Sequence, residues 1–144
     1  MMLDFSAHGI KSGVYTISID GKIVYVGESS DLWNRAKQHR SNILNSDKVW
    51  YPLCRKFCER GHNITFKVVE AVEPQQLHEK EKQYIAVCHP IFNLQDNPQK
   101  FIGNFDYLEA AEYLGLTPRP FIGIKEIQQR ELAKNMGWFG SVEF

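Results

Sequence analysis

Five side chains carry chemistry that simple packing does not require: Tyr15, Tyr25, Arg35, His39 and Glu81. Glu81 is the sharpest case. Leu77, Tyr84, Ile85 and Cys88 recur as the apolar stripe of a helix whose wet face holds Glu79, Lys80 and Lys82, and Glu81 falls within that stripe. A carboxylate so placed needs a cation, an arginine or a metal, because burying its charge alone is costly. Taken alone, an ion pair with Arg35 is the simpler account. His39 is the polar member of a second stripe, Leu32, Ala36, His39 and Ile43, at the spacing that faces a helix onto a core. Arg35 lies one turn earlier, at that stripe's edge. The plain reading makes His39 a hydrogen-bonded core residue and Arg35 a snorkelling one.

The two tyrosines can act together only if the hairpin that carries them has the right register. Gly13–Ile19 and Lys22–Val26 are β-branched runs joined at Asp20-Gly21, a strong hairpin signal. A two-residue loop puts Tyr15 opposite Val26 and sends Tyr15 and Tyr25 to opposite faces. A three-residue loop, Ile19-Asp20-Gly21, with Gly21 left-handed as a bulge, puts Tyr15 opposite Tyr25 on one face. The glycine at the third position favours the second geometry, and the sequence permits both.

The elements around these residues follow from caps and periodicity. Residues 1–12 read as an irregular lead-in. A helix is expected from Ser29 or Ser30 to about Leu44, and another from Pro52 to Arg60, closed by Gly61. Ile64, Phe66 and Val68 alternate with Thr65 and Lys67 as a half-buried strand, and Pro74 opens the helix of Glu81, which ends before Pro90. The order predicts an α+β fold, a small antiparallel three-stranded sheet flanked by helices. Residues 1–97 form the principal domain, and 98–144 a C-terminal helical appendage. In that appendage Tyr107–Leu114 reads as a helix ended by Gly115, and a second helix is expected over 122–135.

A length of 144 residues, 43% hydrophobic and 24% charged, fits an ordinary globular chain. It contains no membrane-spanning run and no secretory succession at its start, so the cytoplasm is the expected compartment. Three cysteines, Cys54, Cys58 and Cys88, argue against a disulfide framework. Cys54, Cys58 and His62 recur every four residues, but zinc needs a fourth ligand and Gly61 breaks the helix before His62. Net charge is zero. Even so, Arg35, Lys37, Arg40, Lys48, Arg55, Lys56 and Arg60 crowd residues 35–60 against only Asp47 and Glu59. Such a patch is either a solvated helix pair or a phosphate-binding surface, on which Lys37 and Arg40 would contact DNA.

Gly13-Val14-Tyr15, nine residues, then Tyr25-Val26-Gly27 resembles the paired motif of the GIY-YIG nucleases. Leu32, Arg35 and His39 follow on the next helix, then Glu81-Lys82-Gln83-Tyr84-Ile85, Pro90 and Asn93, so the resemblance covers residues 12–94. It implies a metal-dependent DNA endonuclease that hydrolyses a phosphodiester with one divalent ion. Glu81 would bind Mg²⁺, for which Mn²⁺ could substitute, and Arg35 would brace the phosphate. Tyr15 or Tyr25, with His39, would help deprotonate the attacking water. Gly27 would let the backbone approach DNA, and Asn93 would orient the site. Glu28 departs from the excision-repair type, which has lysine there, and its charge would repel a phosphate. A stand-alone, phage-borne or mobile-element nuclease is the expected setting. The alternative is a non-catalytic DNA-binding module that keeps the fold. Ala110–Thr117 also resembles the opening of excisionase-like helix-turn-helix readers, although acidic residues balance the basic ones there. Sequence leaves the oligomeric state open.

Overall fold

A computed structural model describes residues 3–5, 9–93 and 106–123. The elements are β1 (Leu3–Phe5), β2 (Gly13–Ile19), β3 (Lys22–Ser29), α1 (Leu32–Asn45), α2 (Tyr51–Cys58), β4 (Ile64–Ala71), α3 (Leu77–Cys88) and α4 (Tyr107–Leu114). A single 3-10 turn, Pro74–Gln76, leads into α3. The sheet order is β1-β4-β2-β3. Strands β2, β3 and β4 make the expected antiparallel core of the sheet. Strand β1 adds to it in parallel with β4, Leu3 opposite Ile64. That piece lies within the expected irregular lead-in, because three residues are too short for a period-2 pattern to register.

The hairpin resolves the register question in a way neither simple loop does. Ile19 pairs with Lys22, so the loop is the two-residue Asp20-Gly21, and φ is +48° at Asp20 and +84° at Gly21. Positive φ at both positions is the mark of the hairpin turn that matches strand twist. The three-residue loop expected from Gly21 is therefore not the one formed. The extra residue lies instead within β3: Ser18 pairs with Ile23 and Ile17 with Tyr25, leaving Val24 as a bulge. One inserted residue flips the face of everything beyond it. Tyr25 opposite Ile17 and Gly27 opposite Tyr15 thus put both tyrosines on one face, Tyr25 diagonal to Tyr15.

That face and its reverse carry separate cores. Tyr15, Ile17, Ile19, Val24, Ile64 and Phe66 pack beneath Leu32, Ala36 and Ile43 of α1, and Leu53, Cys54, Phe57 and Cys58 of α2. On the reverse, Val14, Val26 and Val72 meet Leu77 and Ile85 of α3. The β3 edge therefore has α1 on one side and α3 on the other. Asp31, rather than Ser29 or Ser30, caps α1 by accepting from the Asn34 amide at 3.3 Å, while Ser29 ends β3.

The described part of the C-terminal segment packs into the main core. Tyr107, Ala110 and Ala111 of α4 are buried with α2, and Asp106 and Glu109 close a capping box at its start. The amides of Ile122 and Gly123 both donate to the Glu59 carbonyl at 2.8 and 3.0 Å. The expected 97/98 boundary, and the second appendage helix beyond Gly123, lie outside the described residues.

Candidate active site

Strands β2 and β3 supply the two tyrosines, α1 supplies Arg35 and His39, and α3 supplies Glu81. Tyr15 is fully buried, stacked on Phe66 with ring centroids 4.4 Å apart. Its hydroxyl lies 2.7 Å from Nε2 of His39. The His39 stripe does face the sheet, and its ring is 5% exposed. Nδ1 of the same ring contacts the Tyr51 hydroxyl at 3.1 Å. Trp50 covers the group, 5.1 Å from Tyr25 and 5.7 Å from His39 by ring centroids.

Electrostatics tie the remaining members together. Burial pushes the Tyr15 phenol well above its usual range, Tyr25 pushes it further, and the charge and hydrogen bond of Arg35 oppose both. Tyr25 is half-buried. Its pKa is raised first by burial and then by the negative charge of Glu81, while Arg35 and the hydrogen bond with Tyr15 pull it down. Burial would lower Arg35, but Tyr15, Tyr25 and Glu28 outweigh it and hold the guanidinium more firmly charged. His39 is lowered to about 3, by burial and then by Arg35. It is therefore a neutral imidazole at ordinary pH. Glu28, expected to repel a phosphate, is here a countercharge to Arg35.

The two motif glycines have packing reasons. A Cβ at Gly13 would run into the carbonyl of Glu70 on bulged β4, and one at Gly27 would fall on the ring of Tyr15, with Cε2 at 2.9 Å. The expected approach of DNA to Gly27 is not needed to explain that glycine, since Tyr15 fills the space. Asn93, expected to orient the site, lies inside the fold against β3. It is fully buried; its Oδ1 accepts from the Val26 amide at 2.9 Å and its Nδ2 donates to the Val26 carbonyl at 2.7 Å. With both ends of its amide engaged on the β3 edge, Asn93 holds the strand that carries Tyr25 and presents no polar atom outward.

Folding thins the basic patch, leaving Lys48 and Lys56 exposed but turning its arginines inward. Arg40, expected to contact DNA, is buried at 6% exposure. Arg55 ties α2 to α1 through the carbonyls of Ile43 and Ser46, and Arg60 lies 4.2 Å over the ring of Tyr107. Lys37 sits over Trp33 at 5.5 Å, half-exposed on α1. Cys54 and Cys58 are fully buried core residues, and His62 turns to Asp20 and Tyr107 instead of joining them.

Sequence reasoning missed Trp50 and Tyr51 as members of the site. The visible signal was an adjacent aromatic pair just before Pro52, where a helix start packs side chains back onto its neighbours.

Paired tyrosines, an arginine and a half-buried glutamate thus gather around the edge strand β3 of an α+β sheet. The model of the GIY-YIG catalytic domain matches residues 11–94. The chain belongs to that family and is an endonuclease of it. Among solved structures it is similar to the GIY-YIG N-terminal endonuclease domain of UvrC from Thermotoga maritima, a tyrosine point mutant bound to its catalytic divalent cation. The likeness is 21% identity, covering 58% of this chain and 83% of that one, with a TM-score of 0.40. Curated proteins give no match. No helix among the described residues is long and apolar enough to cross a membrane.

Proposed function

We propose that the chain cuts DNA strands with one divalent cation held by Glu81. The observation that supports this reading is the mutual reach of Tyr15, Tyr25, Arg35 and Glu81, each of which appears in the electrostatic surroundings of another. The donor set fits the metal. Among the described residues no three of His, Cys, Asp and Glu cluster as a closed cage, and a single half-buried carboxylate suits Mg²⁺ or Mn²⁺, which keep most of their waters. When bound, the cation would supply charge neutralisation at the phosphate and the leaving oxygen.

The chain's own residues do the rest. Arg35 offers its planar fork to the phosphate oxygens. Of the two tyrosines, only Tyr25 has exposure enough to meet a water, and Tyr15, fully buried, stands behind it. Tyr25 is therefore the group that receives the proton of the attacking water. Lys37, on the helix of Arg35, is a residue of the patch left to meet DNA phosphates. Glu28, where the excision-repair type has lysine, speaks against a housekeeping repair setting.

Purified protein incubated with supercoiled and branched DNA, with Mg²⁺, Mn²⁺ or EDTA, tests the reading beside Glu81→Ala. Metal-dependent cutting that is lost in the variant is expected. Equal DNA binding by both proteins with no cutting on any substrate would instead support a binding module.

A further inference from the structure

Tyr15 is fully buried and its phenol is held well above its usual range, while a general base works best with a pKa near the working pH. His39 offers no remedy as an imidazolium, being almost wholly buried beside Arg35. A proton taken from water must therefore move on without any of these groups holding a charge. The hydrogen-bond geometry provides a route.

A neutral imidazole carries one proton, and both ring nitrogens of His39 meet a phenol oxygen. The two distances differ in the informative direction. The 2.7 Å contact to Tyr15 suits an O–H donor, and the 3.1 Å contact to Tyr51 suits a ring N–H donor. Arg35 has donors only, so the Tyr15 oxygen accepts from Arg35 and must place its own proton elsewhere. Nε2 of His39 takes it. The second lone pair of Tyr15 is then left for the hydroxyl of Tyr25, and Nδ1–H is left for Tyr51. Tyr51, half-buried and also bonded to Asn42, ends the chain toward the surface.

Building on the endonuclease reading, we propose that Tyr51 is a positioning residue that ends a one-way proton relay running Tyr25, Tyr15, His39, Tyr51. The attacking water gives a proton to Tyr25, whose own proton passes to Tyr15. Tyr15 passes its proton to Nε2, Nδ1 passes its proton to Tyr51, and the Tyr51 proton leaves to solvent. The resulting hydroxide forms the new P–O bond as the bond to the leaving oxygen breaks, and that oxygen regains a proton from solvent. One proton enters and one leaves, so no buried ring ends charged. The reverse sense would turn the Tyr25 proton toward the water and leave no acceptor there.

Two measurements test this. The first is the imidazole nitrogen spectrum of ¹⁵N-labelled wild-type protein, with the His39 signals identified by their loss in His39→Gln. A protonated Nδ1 and a bare Nε2 are expected, and the opposite tautomer would overturn the proposal. The second is single-turnover cutting by Tyr51→Phe, which removes one oxygen. The rate should fall by about ten- to a hundredfold with DNA affinity unchanged. The proton inventory in mixed H₂O and D₂O should change from curved to linear, which a purely structural role would not cause. A wild-type rate or an unchanged curve would overturn the relay. Should the wild type itself fail to cut, the endonuclease reading falls, and the nitrogen spectrum still decides the sense of the chain. It likewise decides if Tyr51→Phe does not fold.

Discussion

Each end of the β2–β3 hairpin holds a buried histidine bonded through both ring nitrogens, yet the two groups differ in kind. At the open end, His39 lies between Tyr15 and Tyr51. At the turn, His62 lies between the Asp20 carboxylate and the Tyr107 hydroxyl, both at 2.6 Å. On paper the second set, an aspartate, a histidine and a hydroxyl, is the more enzyme-like. Exposure reverses that reading. His62 is fully buried and Tyr107 is 5% exposed. Asp20 is satisfied within the fold; although burial opposes it, the bonds from His62 and the Asn63 amide hold its carboxyl below the usual range. Around His39, by contrast, Tyr25, Arg35, Tyr51 and Glu81 are all half-buried. Both ends have buried polar networks, but Asp20, the half-buried member at the turn, is spent on His62 and the Asn63 amide, whereas four members around His39 reach the surface, and that separates a site from a fastener.

Breaking each end should therefore cost a different property. Arg35→Ala is expected to lower DNA cutting by about a thousandfold or more while changing unfolding free energy by no more than about 1 kcal/mol. Cutting assays beside urea denaturation would show it. Near-normal cutting would remove Arg35 from the chemistry. His62→Ala should do the reverse. It opens a cavity and strands both the Asp20 carboxylate and the Tyr107 hydroxyl, at a cost of about 3 kcal/mol. Cutting per folded molecule should stay within about twofold, since His62 touches none of the site.

The contrast also has a pH signature. Folded His39 titrates near 3, against 6.5 when unperturbed. Below 6.5 the unfolded chain takes up a proton at this residue that the folded chain refuses. Stability therefore falls as pH drops through that window, by up to about 1.4 kcal/mol per unit. Urea melts between about pH 6 and pH 5, above the carboxylate range, should show the slope in wild type and a shallower one in His39→Gln. Equal slopes would mean that His39 is not held neutral.

Much of this was legible in the sequence because it follows from local rules. The helix of α4 was bounded by Tyr107 and Gly115, and the stripe of Leu32, Ala36, His39 and Ile43 by its spacing. That Tyr15 and Tyr25 needed one extra residue to share a face also followed from period-2 arithmetic. Where the residue went did not. A bulge at Val24 is set by what packs against β3, and no pattern in Lys22–Val26 marks it. The fates of the basic residues were hidden for the same reason: Arg40, Arg55 and Arg60 are drawn inward by partners distant in sequence. Asn93 read as a site residue from its place in the motif, but only the β3 edge reveals what its amide holds. Asp20 and His62, 42 positions apart, could not be paired before the turn and β4 were set side by side.

The smallest predicted effect tests the fastener most finely. Tyr107→Phe removes one oxygen, which accepts from the Arg119 amide at 2.8 Å and meets Nε2 of His62 at 2.6 Å. The ring keeps its edge contact with Phe57 at 4.9 Å and its cover by Arg60 at 4.2 Å. The loss should therefore be that of the hydrogen bonds alone, about 1–2 kcal/mol. Because the Arg119 amide loses its acceptor, hydrogen exchange should quicken there and at Ile122 and Gly123, which follow it onto Glu59. The amides of β2 near Tyr15 should keep their protection. Unchanged stability would mean that ring packing, not the buried bonds, fastens the segment. A loss of cutting would mean that the two ends are coupled through the sheet, and the division between site and fastener would fail.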